Sequence, residues 1–267
     1  DPARPLVSQL EGIWSRDVSP IWMDTSSAAE CDAITRAVGG PDALARLTGS
    51  RAFERFTGPQ IRKFASRQPD GYARTDRIHL VSSFLASLLI GRDAPLDPGD
   101  ASGMNLMDIA ACQWAPRALE ATAPDLLAKL PGIVPSSAVL GQLAPYWVQR
   151  YGLPPAKVIA WTGDNPSSLI GTGLVRQGHI AVSLGTSDTV FGVMDAPPAD
   201  PSGSGHVFGA PTGRYMAITV FRNGSLARER VRDQFGLGWD GFSRALREAA
   251  HRRYACAVFV EQLEMPA

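Results

Sequence analysis

Two segments carry side chains that could do chemistry. Val158-Ile-Ala-Trp-Thr-Gly-Asp-Asn165 is an apolar run that ends at Asp164, where a helix-like stretch from Asn165 to Leu174 begins. Ala181-Val-Ser-Leu-Gly-Thr-Ser-Asp-Thr189 runs into Gly185, Thr186 and Ser187, a turn rich in hydroxyls and backbone N–H donors. A sugar hydroxyl is a weak nucleophile; a carboxylate at a rigid strand end can orient it and accept its proton. Asn165 donates and accepts, which suits a polyol. The second turn offers a cradle for phosphate. Together the loops point to phosphoryl transfer to a hydroxyl. Plainer uses exist on spacing alone: Asp164 as a helix N-cap, and Gly185 to Ser187 as an ordinary strand-to-strand turn.

Positioning those loops requires a core, and the chain is long enough to build one. Its 267 residues are 45% hydrophobic, which accommodates one large or two ordinary domains. The formal net charge is zero, so nothing marks a nucleic-acid or acidic-membrane surface. Lysine occurs only at 63, 129 and 157, with arginine supplying the other cations, a bias of composition. Cys31, Cys112 and Cys256 lie far apart, without metal-ligand spacing or a disulfide framework. That usage predicts a reducing, cytoplasmic setting. Asp1-Pro-Ala-Arg-Pro5 does not read as a signal peptide. The longest apolar stretch, Ile78 to Ile90, is broken by His79, Ser82, Ser83 and Ser87 and is too short to span a bilayer; it predicts a buried helix. No P-loop, dinucleotide fingerprint, zinc-protease or Gly-x-Ser-x-Gly motif occurs. The histidines at 79, 179, 206 and 251 are scattered and read as structural or solvated.

The patterning changes near residue 153. Before it, helices dominate: one opened by a capping box at Ser27-Ala-Ala-Glu30 and running to Val38, then Asp42 to Leu47, Gln60 to Arg67, Ile78 to Ile90, and Leu140 to Tyr151 closing at Gly152. Asp93 to Met107 reads as a loop. After residue 155, short strands and helices alternate: a strand at 157–162, a helix at 165–174, strands at 179–184, 188–194 and Tyr215 to Phe221, a helix to Gln234 and another from Asp240 to His251. That order predicts an α/β domain, with 157–162 and 179–184 in one sheet.

Longer stretches carry a resemblance. They are Ile21-Trp-Met-Asp24, Leu47-Thr-Gly-Ser-Arg-Ala-Phe-Glu-Arg-Phe-Thr-Gly58, Leu80-Val-Ser-Ser-Phe84, Asp100-Ala-Ser-Gly-Met-Asn-Leu-Met107 and Val148-Gln-Arg-Tyr-Gly152. The two loops above continue the series, as do Phe221-Arg-Asn-Gly-Ser-Leu226 and Trp239-Asp-Gly-Phe-Ser-Arg244. In them the chain resembles the FGGY family of carbohydrate kinases, in its animal-type xylulose kinase branch, over residues 8 to 248. The resemblance implies an α/β actin-like ATPase (ribonuclease H-like) fold of two lobes, present incompletely. Residues 1–153 would be the remainder of a sugar-binding domain, and 154–267 the first part of a nucleotide-binding domain. It implies Asp164 as the catalytic base, and Asp164, Asn165 and Arg55 as contacts to the sugar D-xylulose. Gly185, Thr186, Ser187 and Trp239 would serve ATP, with Mg²⁺ as companion ion, no metal ligand assigned, and neither nucleic acid nor membrane as partner. Simpler roles stay open: a salt bridge between Arg55 and Glu54, and a core position for Trp239.

The family's opening Asp-x-Gly-Thr hairpin, its early sugar-binding histidine and its Gly-Gly adenine loop have no counterpart here. The expectation is a piece from the middle of such a kinase. Three readings follow: an ATP-dependent D-xylulose kinase, a non-catalytic fragment or pseudokinase, and a kinase for another sugar. The 267 residues alone are expected to transfer little or no phosphate to D-xylulose, because a γ-phosphoryl group needs donors and metal on both sides in the transition state. A coupled assay checks this; turnover of about 1–100 per second, ordinary for kinases, would contradict it.

Overall fold

The computed structural model describes residues 1–185, 187–198, 200, 203–221 and 224–251. Its elements run α1 (Leu6–Gln9), α2 (Ala28–Ala37), α3 (Pro41–Thr48), α4 (Thr57–Arg67), α5 (Pro69–Arg74), α6 (Val81–Ile90) and α7 (Pro98–Ser102). Then come β1 (Met107–Asp108), β2 (Gln113–Trp114), α8 (Pro116–Thr122), α9 (Leu126–Lys129), β3 (Val139–Gln142), α10 (Pro145–Tyr151), β4 (Lys157–Ile159) and α11 (Asp164–Gly171). The remainder is β5 (Ile180–Leu184), β6 (Asp188–Met194), β7 (His206–Gly209), β8 (Tyr215–Phe221), α12 (Gly224–Gln234) and α13 (Trp239–His251).

Helix starts follow proline chemistry. Proline sits in the first turn of α3, α5, α7, α8 and α10, where its missing N–H costs nothing. Ser27 stands at the N-cap of α2 as expected, but its hydroxyl does not cap; it is buried and donates to Glu54 O at 2.8 Å. The predicted helix from Leu140 to Tyr151 is instead β3 followed by α10, divided by Ala144 and Pro145. Pro145 accounts for the break, since proline fits the first turn of a helix but not its interior. The predicted buried helix at 78–90 begins at Val81 and buries only Ser83 and Ala86, while Val81 is 77% exposed. The loop read at Asp93 to Met107 contains α7.

Strand pairing departs from expectation at one point. β4 pairs antiparallel with β3, Gln142 opposite Lys157 and Val139 opposite Ile159, rather than joining β5. Because Pro145 starts α10 and cannot lie inside a longer helix, residues 139–142 are free to pair as β3, and Ala160 N continues the pairing to Ala138 O at 2.9 Å. The larger sheet has the order β5-β6-β8-β7, with β7 antiparallel to β8. Compactness divides the chain into residues 1–180 with 192–218, and residues 181–191 with those from 219 onward. The bounds of these compact units do not fall near residue 153, where the sequence patterning changes.

The largest of the buried apolar clusters in the first unit reaches from α4 to β7. Ile61, Phe64, Leu96, Met104, Leu106, Met107, Ile109, Leu119 and Leu126 are buried together, and Val207 of β7 joins them. β7 is anchored where Val207 N donates to Gly49 O at 2.9 Å. Gly49 closes α3 with φ +85°, and a Cβ there would collide with Val207 O and lie 3.3 Å from Ile109 Cγ1. Gly49→Ala therefore combines a left-handed backbone with overpacking. It is expected to lower stability by about 2–4 kcal/mol, read as a shift of the urea midpoint at unchanged slope; a shift equivalent to less than about 0.5 kcal/mol would contradict the packing account.

Candidate active site

Asp164 is the first residue of α11, and Gly163 takes the N-cap position. The side chain is exposed and its Oδ1 accepts from Asn165 N at 2.7 Å. It is neither the N-cap nor an ion-pair partner: among the described residues no salt bridge includes it. Asn165 is exposed beside it. The carboxylate thus stands at the head of the helix, where the positive end of the backbone dipoles favours an anion.

The turn that presents it is packed from behind by α7. Asp97 is fully buried at the N-cap of α7, where Oδ1 accepts from Asp100 N at 2.9 Å and Oδ2 accepts from Ser136 Oγ at 2.5 Å. A Cβ on Gly99 would run into Thr162 Oγ1 and come within 3.0 Å of Pro166 Cγ; one on Gly163 would lie 2.9 Å from Asp100 Oδ1. On the other side of α7, a Cβ on Gly209 would lie 2.6 Å from Pro98 Cβ, and Gly209 N donates to Ser102 Oγ at 3.0 Å. α7 is therefore gripped between β7 and the Thr162–Asp164 turn.

Asp100 is the unusual group here. Its Oδ2 accepts from Ser82 Oγ, but burial pushes its pKa up to about 6, helped by the charges of Asp97 and Asp164 and opposed by Ser82. No cation offsets it among the described residues. The sequence reading assigned it no role, although Asp97-Pro-Gly-Asp100 has the cap and proline spacing of a helix start.

Arg55 lies on the loop between α3 and α4. Its guanidinium carbon sits 5.3 Å from the Trp22 ring centroid and 5.5 Å from that of Phe53. Its Nε is buried without a hydrogen-bond partner, and among the described residues it forms no ion pair with Glu54 or any other acid. The loop is fixed at Glu54, whose carbonyl accepts from Ser27 Oγ at 2.8 Å and Gln60 Nε2 at 3.0 Å. Upstream, Asn105 Nδ2 donates to Ser50 O at 3.1 Å and to Thr48 Oγ1 at 2.6 Å. Arg55 and Asp164 do not touch; each is tied through its own loop to β7.

The remaining candidates belong to the second unit, except that Thr186 lies outside the described residues. Gly185 N donates to Asp188 Oδ1 at 3.2 Å, and Gly185 O accepts from Arg228 Nη2 at 2.9 Å. Arg228 also grips Asp188 through Nη1, at 2.8 Å to Oδ1 and 2.6 Å to Oδ2. The turn that also holds Ser187 is thus pinned by an Asp–Arg pair that sequence reasoning missed, and the Gly185 N–H is already engaged. Trp239 opens α13, is 52% exposed, lies 4.4 Å beneath the Arg232 guanidinium and meets Phe242 edge-on at 6.0 Å. It is no core residue. Among the described residues no group of histidine, cysteine, aspartate or glutamate side chains could hold a metal ion, and no helix is long and apolar enough to cross a membrane.

Residues 19–171 match the N-terminal domain of the FGGY family of carbohydrate kinases. The chain belongs to that family. It is 50% identical over 249 residues to a xylulose kinase of Rattus norvegicus, covering 92% of this chain and 46% of that protein. It is 49% identical over 252 residues to xylulose kinase 2 of Arabidopsis thaliana, covering 93% of this chain and 45% of that one. Among solved structures, the xylulose kinase from Rhodospirillum rubrum superimposes with a TM-score of 0.75 at 17% identity, over 88% of this chain and 48% of that chain. The chain thus spans about half the length of the relatives it matches, and its fold is the α/β fold of the FGGY sugar kinases, members of the actin-like ATPase group.

Asp100 generates a pH prediction. Its native pKa lies above the ordinary carboxylate value, so the stability it contributes is complete below about pH 4 and is lost as pH rises through about 6. Asp100→Asn keeps an acceptor for Ser82 and removes the buried charge. It is expected to stabilise the protein by about 1–3 kcal/mol at pH 7.5 and by nothing measurable near pH 4. Denaturant melts at the two pH values decide; equal effects at both would contradict the buried-charge account.

Proposed function

We propose that the protein carrying this sequence is an ATP-dependent D-xylulose kinase, producing D-xylulose 5-phosphate in the cytoplasm. The observation that carries the reading is a pair of opposite, unpaired charged groups held on one framework: Asp164 at the head of α11 and Arg55 with an unpartnered Nε. The roughly half identity to the rat and Arabidopsis xylulose kinases supports it, and the free Cys31 and Cys112 accord with a reducing compartment.

In this reading Asp164 Oδ accepts the proton of the terminal sugar hydroxyl as that oxygen bonds to the γ-phosphorus and the bond to the ADP oxygen breaks. Asn165 orients the sugar by donating and accepting. Arg55 fixes other sugar oxygens through its planar fork, already held in orientation by the faces of Trp22 and Phe53. Gly185, Thr186 and Ser187 belong to the phosphate side, and Trp239 offers an exposed aromatic face to adenosine. Mg²⁺ accompanies the nucleotide and neutralises phosphate charge; the described residues hold no cluster that would retain it alone. Residues 1–153 are proposed as sugar domain and 154–267 as the start of the nucleotide domain.

Kinetics of the full-length protein test the roles. Asp164→Asn preserves shape but cannot take the proton, and is expected to lower kcat by about 10²–10⁴-fold with little change in the KM for D-xylulose. Arg55→Lys supplies a point charge in place of a fork and is expected to raise that KM by about tenfold. Near wild-type kcat in the first variant would remove Asp164 from the role of base.

A further inference from the structure

His206, read from sequence as structural or solvated, is packed among aromatic rings yet carries polar atoms that no described neighbour uses. Among the described residues it forms no hydrogen bond, and its Nδ1 is buried without a partner. Burial holds its pKa below the ordinary imidazole value, so the ring is neutral at physiological pH. Three aromatic rings surround it: Phe56 edge-on at 5.2 Å, Phe53 at 5.8 Å, and Phe208 stacked at 5.8 Å and 12°.

Phe53 is the link to the sugar side. Its ring contacts both the imidazole of His206 and the guanidinium of Arg55. Both residues are held by the same attachment, since β7 begins at His206 and its next residue binds the Gly49 carbonyl at the start of the Arg55 loop. A mere space-filler between three phenylalanines would be served better by another phenylalanine or a leucine, because an unpaired buried polar nitrogen is costly. A neutral imidazole carries one donor and one acceptor. With Nδ1 sealed among the rings, Nε2 is the nitrogen available outside them. Flat polar groups set among aromatic faces suit a polyol, which offers hydroxyls on its edges and C–H groups on its faces.

We infer that His206 is a sugar-binding residue, its Nε2 hydrogen-bonded to a hydroxyl of the sugar that Arg55 holds. The inference rests on the proposed kinase reading and adds a specificity contact on β7. It makes His206 a binding group and assigns it no proton transfer.

The test uses the full-length protein and titrates D-xylulose, and a panel of other ketoses and polyols, into wild type and His206→Phe. The phenylalanine preserves the ring packing and removes the nitrogen atoms. The expected result is about a tenfold loss of affinity for the sugar that wild type binds, with unchanged MgATP affinity, nearly unchanged kcat at saturating sugar, and a melting temperature equal to or above wild type. His206→Gln, which keeps a donor and an acceptor, should recover part of the loss. His206→Met, apolar and adaptable, gives the same readout should the ring exchange disturb the fold. Equal sugar affinity in wild type and the apolar variants, with raised stability, overturns the inference and leaves a core histidine, while the kinase reading stands. A wild-type protein that binds no sugar of the panel overturns both; binding of a different sugar, weakened in His206→Phe, overturns only the D-xylulose assignment.

Discussion

The arrangement depends on two close approaches to α7, one at each of two glycines. Pro98 and Gly99 of α7 lie so near Gly209 on one side and Thr162 on the other that a methyl group fits at neither glycine. Interiors pack at crystal-like density and transmit strain with little loss, so three elements in van der Waals contact behave as one rigid piece. β7 carries the Arg55 loop through Gly49, and the far side of α7 carries the turn that ends in Asp164. The Arg55 loop and the turn that carries Asp164, proposed here as sugar clamp and base, thereby share a common frame although they are far apart in sequence. Geometry held in advance is what lets a kinase lower its barrier mainly through positioning.

Electrostatics run against the ordinary preference for pairing. Asp97 is fully buried with hydroxyl and amide partners, Asp100 is half-buried beside a serine, and Asp164 faces solvent with a backbone amide. No arginine or lysine neutralises this group of carboxylates among the described residues. An ion pair would hold Asp164 in one place but would make it a weaker base in the proposed role. Arg55 is likewise spared an acid; its positive charge rests on two aromatic faces, which steady it without neutralising it. In the second unit the pattern reverses: Asp188 and Arg228 satisfy one another fully and fix the turn at Gly185.

Chain order and chemistry were legible in sequence to different degrees. The strands β5, β6 and β8 and the last two helices followed from alternation and periodicity, and Asp164 was placed correctly at the junction of an apolar run and a helix. Proline and glycine signals located the start of α3 and the left-handed close of α10 at Gly152. What failed were decisions that tertiary contacts make. β3 was absorbed into a helix because Val139 to Leu143 alternates too briefly to outweigh the apolar residues after Pro145. Ser27 looked like a capping residue, and its hydroxyl was taken by Glu54 twenty-seven residues away. α7 was missed because five residues in a Gly-rich and Asp-rich stretch carry no periodicity, though the Asp97-Pro98 pair was a usable signal. Asp100 and His206 were invisible for a deeper reason: their character comes from burial and from neighbours distant in sequence, which a linear pattern does not contain.

The central claim is that Arg55 and Asp164 meet the same sugar. A crystal structure of the full-length protein with D-xylulose bound tests it most directly. The account predicts the terminal hydroxyl of the sugar within hydrogen-bond distance of an Asp164 oxygen, and other sugar oxygens within reach of the Arg55 guanidinium. Density for the sugar at a place that touches neither residue, in a protein that turns over, would contradict it.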